Sequence, residues 1–81
     1  MDKMKMEPLN QEFAAAYDFL YEYGDSTPAY NAAVKDFDEK IKNKRSKFYK
    51  TVCAFIEFRR DVISSDREAA AFMIAYKKLF A

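Results

Sequence analysis

The sequence predicts an all-α fold, a small bundle of three helices, or of four if its long central helix is broken. The chain has 81 residues, enough for one domain with a thin core and too few for two. It contains one glycine and two prolines, whereas an all-β fold of this length needs many turn residues. Apolar residues recur at spacings of three and four, the period of a helix with one buried face. These observations predict few connections and long helices.

The first helix is expected over residues 8–24, after a flexible tail of residues 1–7, so that residues 8–81 form a single helical domain. Pro8 suits the first turn of a helix, where its missing N–H group leaves no hydrogen bond unmade. Gly24 provides a stop, because glycine readily adopts the left-handed conformation that ends helices. The apolar face between them comprises Leu9, Phe13, Ala16, Tyr17, Leu20 and Tyr23.

The central helix is expected over residues 28–63. Thr27 and Pro28 form a start signal, with Thr27 as the N-cap and Pro28 in the first turn. A continuous helix here would be about 54 Å long. The alternative is a break near residues 43–46, with Ser46 capping a new helix, but the unbroken phase of the apolar stripe favours continuity or a mild bend. The stripe comprises Tyr30, Val34, Phe37, Ile41, Phe48, Val52, Phe55, Val62 and Ile63.

The last helix is expected over residues 66–80, where Ser65 and Glu68 have the spacing of a capping box. We expect the first and last helices to pack against the central one. Because that long helix would project beyond its shorter partners and expose apolar surface at its ends, a homodimer is a further expectation. The apolar side of the last helix comprises Ala69, Phe72, Met73, Tyr76, Leu79 and Phe80.

The residue types that most enzymes use are missing from this chain. It has no histidine, the commonest general base and metal ligand, and its one cysteine, Cys53, can form neither an internal disulfide nor a zinc site. One glycine is too few for a phosphate-binding loop or a dinucleotide fingerprint. The carboxylate pairs Asp18–Glu22 and Glu57–Asp61 are expected to be solvated. We therefore predict no enzymatic activity, no catalytic residues, no metal and no cofactor, and we expect Cys53 to be a buried, unreactive thiol.

Nothing in the sequence predicts export or membrane insertion. The first twelve residues carry charges but no apolar stretch behind them, unlike a signal peptide. The longest apolar run, residues 69–76, has 8 residues, and crossing a bilayer takes about 20. We expect a cytoplasmic protein without a membrane partner, or one in the host cytoplasm if a phage encodes it.

Charge divides the chain into an acidic and a basic half. Residues 1–39 carry nine acidic and three basic side chains, a net charge of −6, and residues 40–81 carry eleven basic and four acidic side chains, a net charge of +7. Six cations fall within residues 40–50 and predict an alternative nucleic-acid-binding site. On a continuous helix they would spread around much of the circumference, and the acidic half would repel phosphates unless it faced away, so nucleic acid is the less favoured partner. The residues of this site are Lys40, Lys42, Lys44, Arg45, Lys47, Tyr49 and Lys50.

Aromatic residues are more numerous than a thin core can enclose. The chain has eight Phe and six Tyr, 17% of its residues, and exposed aromatics are typical of protein interfaces. Lys44, Arg45 and Arg59 fall on the apolar stripe of the continuous helix, and Arg59 there is either an interface anchor or a side chain whose stem covers the core edge. The expected partner-binding residues are Phe19, Tyr21, Tyr23, Phe58 and Arg59, with Lys44, Arg45 and Lys47 steering association.

The favoured function is therefore a non-enzymatic protein-binding module, an inhibitor or adaptor that covers a surface of its protein partner. Small standalone helical proteins of this kind are often encoded by phages and mobile elements, where they block host defence machinery such as CRISPR effectors. That expectation comes from size and class and from no particular residue. The alternatives are a small nucleic-acid-binding protein that uses residues 40–50, and a structural protein that assembles with itself, acidic half against basic half.

Overall fold

The computed structural model describes residues 6–24, 27–60 and 63–80, and this part of the chain contains four α-helices and no β-strand. The helices are α1 (Met6–Tyr23), α2 (Pro28–Lys40), α3 (Lys47–Arg59) and α4 (Asp66–Phe80). They pack as a small bundle, which confirms the predicted all-α fold. The predicted tail of residues 1–7 lies mostly outside the described residues. None of the described helices combines the length and hydrophobicity that a bilayer crossing requires.

The ends of α1 and α2 are set by the residues that the sequence singles out. Gly24 follows α1 with a φ of 87°, and its N–H group donates to the Leu20 carbonyl at 2.9 Å. Thr27 caps α2, because its hydroxyl oxygen accepts a hydrogen bond from the N–H group of Tyr30 at 3.1 Å. Pro28 occupies the first turn, where no backbone donor is needed.

The ends of α3 and α4 depart from the predictions in detail. α3 ends at Arg59, and Arg60 follows in the left-handed conformation with a φ of 74°, although the predicted helix extends to residue 63. At the start of α4 the Ser65 hydroxyl accepts the N–H of Glu68 at 3.2 Å. The Glu68 carboxylate in turn accepts from the N–H of Ser64 at 3.1 Å, one residue earlier than in a standard capping box.

The prediction of a continuous central helix is wrong, because the chain leaves the helix between α2 and α3. The Ser46 hydroxyl accepts a hydrogen bond from the N–H of Tyr49 at 3.0 Å and donates one to the carbonyl of Asn43 at 2.8 Å. The Asn43 side-chain oxygen accepts the N–H of Arg45 at 3.1 Å. Such local bonds give the backbone partners outside a helix. The alternative, a break at residues 43–46 with Ser46 as the cap, is confirmed.

The break has two physical reasons. On a continuous helix Lys44 and Arg45 would lie on the apolar stripe, where burial is costly without a paired carboxylate, whereas in the connection both are exposed. The break also lets Phe37 of α2 meet Phe48 of α3, with ring centroids 5.4 Å apart, although eleven residues along one helix would separate them by about 16 Å. The long projecting helix from which we predicted a homodimer is therefore not formed.

The centre of the bundle is α4 rather than the predicted middle helix. Residues 69–73 of α4 are all buried, each at most 7% exposed, and a run of this kind is buried only when neighbours cover the helix on several sides. α1 and α2 each pack along α4. The Phe72 ring lies among the rings of Phe37, Phe48 and Phe55 at centroid distances of 5.3 to 6.2 Å, so one α4 side chain joins α2 to α3.

Candidate protein-binding site

Four large apolar side chains are strongly exposed in the described part of the chain, and all four belong to the predicted partner-binding residues. The exposed fractions are 49% for Phe19, 71% for Tyr21, 61% for Tyr23 and 46% for Phe58. Single apolar residues at a surface are normal, whereas contiguous patches mark binding sites. The arrangement of the four residues therefore decides whether they form a site.

The exposed rings of α1 lie on two different sides of the helix. Phe19 and Tyr23 are four residues apart and pack together, with ring centroids 4.7 Å apart; we call these two residues the aromatic flank. Tyr21 lies about 160° around the helix from Phe19. The structure thus brings two of the predicted residues together and separates the third from them.

Tyr21 is held by contacts within the chain. The guanidinium group of Arg67 lies 5.6 Å from the centre of its ring, within the range of a cation–π interaction. The same guanidinium donates a hydrogen bond to the carbonyl of Leu20. Arg67 therefore fastens the start of α4 to the end of α1, a contact that the sequence did not reveal because 46 residues separate Arg67 from Tyr21.

Arg59 and Phe58 lie at the end of α3, at the edge of the core. The Arg59 guanidinium donates to the side-chain oxygen of Asn10 at 2.7 Å and lies 5.7 Å from the centre of the Phe13 ring. Arg59 therefore ties α3 to α1 while its side chain stays exposed, which agrees with a stem that covers the core edge. The neighbouring Phe58 ring is 6.4 Å from that of Phe55 and does not join the aromatic flank.

A groove adjoins the aromatic flank. α1 and α2 both pack on α4 but contact each other little, and a groove of about 410 Å³ opens between them. At its edge the Lys78 ammonium pairs with the Glu12 carboxylate at 3.4 Å. The remaining lining residues are Ala15, Ala16, Phe19, Ala29 and Ile74. Small alanine side chains leave this space open, and we call it the α1–α2 groove.

Apart from Phe19, the residues that line the groove are missing from the predicted site. Ala29 belongs to α2, and Ile74 and Lys78 belong to α4. Their meeting depends on how three helices pack, which has no signal in a single sequence. The exposed positions beside the buried face of α1 were the part of the site that helical periodicity could identify.

The predicted steering cations lie away from the aromatic residues. Lys44 and Arg45 are exposed in the α2–α3 connection, and Lys47 is exposed in the first turn of α3, where its ammonium lies 5.6 Å from the centre of the Phe80 ring. Lys47 and Phe58 are about 16 Å apart along α3. Lys47 and Phe58 therefore lie at opposite ends of α3.

The expectation of a buried thiol at Cys53 is wrong, because Cys53 is exposed. α3 buries Thr51, Val52 and Phe55, which lie within one arc of the helix. Cys53 is displaced by about 100° from Val52 and falls on the outward side. The apolar character of a cysteine does not decide its burial when its position is off the core face.

Neighbouring groups shift the pKa values of two side chains in the described part of the chain, Asp36 and Tyr76. A hydrogen bond from Lys77 lowers the pKa of Asp36, against a smaller opposing effect of burial, and the two charged groups are 2.5 Å apart. Burial raises the pKa of Tyr76.

No protein-family model, curated protein or solved structure matches this chain. Because most of the side chains that line the groove are apolar, the groove and the aromatic flank offer binding through apolar contact.

Proposed function

We propose that this protein is a non-enzymatic protein-binding module that binds its partner in the α1–α2 groove and on the aromatic flank. The observation that carries the proposal is the pair of rings, Phe19 and Tyr23, which are 49% and 61% exposed and lie beside an apolar groove. Rings of this kind anchor interfaces because they bury a large apolar area with few rotatable bonds. A helical segment with an apolar stripe suits the groove, since amphipathic helices bind in grooves of this kind.

The exposed ring area is large enough to matter for affinity. A Phe or Tyr side chain buries 150–250 Å², so covering the exposed half removes roughly 100 Å² per ring from water. At about 25 cal/mol per Å² this contributes about 2.5 kcal/mol per ring. That is the size of an interface hot spot, and two adjacent rings make the flank the expected energetic centre of the interface.

We also propose that the module acts as an inhibitor or adaptor by covering a surface of its partner. More specifically, we propose that a phage or mobile element encodes this protein and that it blocks a host defence protein, for example a CRISPR effector, in the cytoplasm of the host. The small size of the chain and its all-α class support this more specific proposal. The absence of histidine from the sequence supports the non-enzymatic part.

The test is capture of the partner by wild-type protein and by two variants from a nuclease-treated native lysate. Phe19→Ala/Tyr23→Ala removes the flank, and Tyr21→Ala is the matched control, an aromatic truncation on the opposite side of α1. We expect a stoichiometric protein that wild type and Tyr21→Ala retain. The double variant is expected to lose affinity for it by on the order of 1,000-fold or more, the effect of about 5 kcal/mol for two rings. Thermal unfolding of each variant confirms that the fold is intact.

Two results contradict the proposal. The first is a partner that the flank variant retains and Tyr21→Ala loses. The second is that no protein partner remains after nuclease treatment. Sedimentation of the purified protein at high concentration and low salt tests the self-assembling alternative separately, because an assembly of acidic against basic halves weakens with salt.

A further inference from the structure

Residues 40–50, which we call the basic segment, form a second surface apart from the groove. The segment holds six basic side chains, and no acidic residue occurs between residues 40 and 56. Lys40 ends α2, and Lys47 and Lys50 lie in the first turn of α3. The other three cations lie in the connection between the two helices. Strong positive charge is therefore concentrated where two helices meet.

The break in the helix changes how these cations are arranged. On a continuous helix they would surround the helix, but Lys42, Lys44 and Arg45 instead lie on one short connection, where all three are exposed. The hydrogen bonds of Asn43 and Ser46 give this connection a defined shape. Six connecting residues span at most about 20 Å. The three cations of the connection thus lie within a length of chain comparable with several neighbouring phosphates.

The charge of this surface is largely uncompensated. Lys40 pairs with Asp36 at 3.7 Å, and Asp36 is also bound by Lys77. Among the described residues, the side chains of Lys42, Lys44, Arg45 and Lys50 form no ion pair. The acidic residues next to the segment in the chain are Asp36, Asp38 and Glu39, so its six cations outnumber them two to one. Such a field attracts polyanions.

The aromatic residues of the basic segment point to a duplex rather than a single strand. Proteins that bind single strands stack bases on exposed rings, but Phe48 is buried and Tyr49 is half-buried. Contacts from lysine and arginine side chains to phosphates position a protein on a duplex without reading its bases. We propose that the basic segment binds the phosphate backbone of double-stranded nucleic acid. The proposed phosphate contacts are Lys42, Lys44, Arg45 and Lys50.

The salt dependence follows from the number of contacts. Each neutralised phosphate of a DNA duplex contributes about −0.9 to the slope of log Kobs against log salt concentration, so four contacts give a slope of about −3.6. Raising salt from 50 to 200 mM then weakens binding by about 150-fold. Neither the groove nor the aromatic flank takes part, so this function is additional to the proposed protein binding.

The experiment is a fluorescence anisotropy titration of a fluorescein-labelled 20-bp DNA duplex with the full chain, between 50 and 200 mM NaCl. Lys44→Gln/Arg45→Gln removes two proposed contacts, and Lys35→Gln/Arg60→Gln is the control with the same change in net charge outside the segment. We expect the first variant to reduce the slope to about −1.8 and the control to keep the wild-type slope. An RNA duplex, a 20-nucleotide single strand and poly-glutamate serve as competitors.

Each outcome decides the proposal. Displacement by the RNA duplex at similar concentration supports backbone recognition common to both duplexes. The absence of binding at 50 mM NaCl overturns the proposal, as does an equal slope for the two variants. Stronger competition by the single strand, or by poly-glutamate at equal charge, also overturns it and identifies a different ligand. Phe19→Ala/Tyr23→Ala is expected to bind the duplex like wild type, and thermal unfolding verifies the fold of every variant.

Discussion

Substitution of Ser46 by alanine tests the hydrogen bonds that break the central helix. The Ser46 hydroxyl serves two bonds, accepting from the N–H of Tyr49 at 3.0 Å and donating to the carbonyl of Asn43 at 2.8 Å. Among the described residues, the Thr27 hydroxyl at the start of α2 forms only the capping bond, in which it accepts from the N–H of Tyr30 at 3.1 Å. Thr27→Ala is therefore the matched control, because it removes a cap without removing a second bond.

The two losses differ by the energy of one hydrogen bond. Removing an N-cap hydroxyl costs about 1 kcal/mol of unfolding free energy, and the bond to the Asn43 carbonyl adds about 0.5–1 kcal/mol. We expect Ser46→Ala to cost about 1.5–2 kcal/mol and Thr27→Ala about 1 kcal/mol. For a domain of this length these losses lower Tm by about 10 °C and about 6 °C, respectively.

The assay is thermal and urea unfolding of the three proteins, followed by circular dichroism. Ser46→Thr keeps the hydroxyl and is expected to recover most of the lost stability. A cost for Ser46→Ala no larger than that for Thr27→Ala would refute the two-bond role of Ser46. It would also remove the reason for a defined shape of the basic segment.

Three further predictions concern other parts of the fold. Arg60→Gly is expected to stabilise the protein by about 1 kcal/mol, since a non-glycine residue in the left-handed conformation is strained. Gly24→Ala is expected to destabilise it by about 1 kcal/mol for the same reason, although an added Cβ meets no atom within 4 Å. Urea unfolding in which both substitutions change the free energy of unfolding in the same direction contradicts this. Lys77 lowers the pKa of Asp36 from its usual value of 3.8, so the stability that the ionised carboxylate supplies is present above pH 3.8 and lost as pH falls through the lowered pKa. The difference in urea midpoint between wild type and Asp36→Asn should therefore shrink on acidification, and a constant difference argues against the ion pair. Exposed Cys53 is expected to react fully with a thiol reagent in the native protein, whereas reaction only after urea addition would show that it is buried.

Local signals in the sequence were sufficient for three helix ends, namely the end of α1 and the starts of α2 and α4. Thr27, Gly24 and Ser65 act within four residues of their own positions, so their roles could be predicted without knowledge of the packing. The apolar spacing of α1 likewise identified the four described residues that the helix buries, although it also included Tyr23, which is exposed. These local signals also led to the correct fold class.

The break and the central position of α4 depend on contacts between distant residues. The apolar stripe keeps its phase across residues 41–46, so periodicity alone favoured one helix. In the structure α2 and α3 are separate helices that both bury rings against Phe72. The placement of Lys44 and Arg45 on that stripe was the sequence signal for a break. The apolar run of residues 69–76 was the signal for a helix covered on several sides.

The candidate site was predictable only in part, for the same reason. Periodicity identifies Phe19 and Tyr21 as lying off the buried face of α1, whereas the sequence assigns Tyr23 both to the apolar face and to the partner-binding residues. All three are exposed. Tertiary packing decides that Phe19 and Tyr23 lie beside the groove, whereas Arg67 holds the ring of Tyr21. The groove itself exists because α1 and α2 share α4 without packing on each other.

Site-specific photo-crosslinking measures most directly whether the aromatic flank is the protein-binding site. A photoreactive phenylalanine analogue is placed at position 19 in one variant and at position 21 in the other, and both are irradiated in the nuclease-treated native lysate. The proposed function predicts one crosslinked protein from position 19 and little product from position 21. A crosslink from position 21 of equal or greater yield, or no product from position 19, would contradict it.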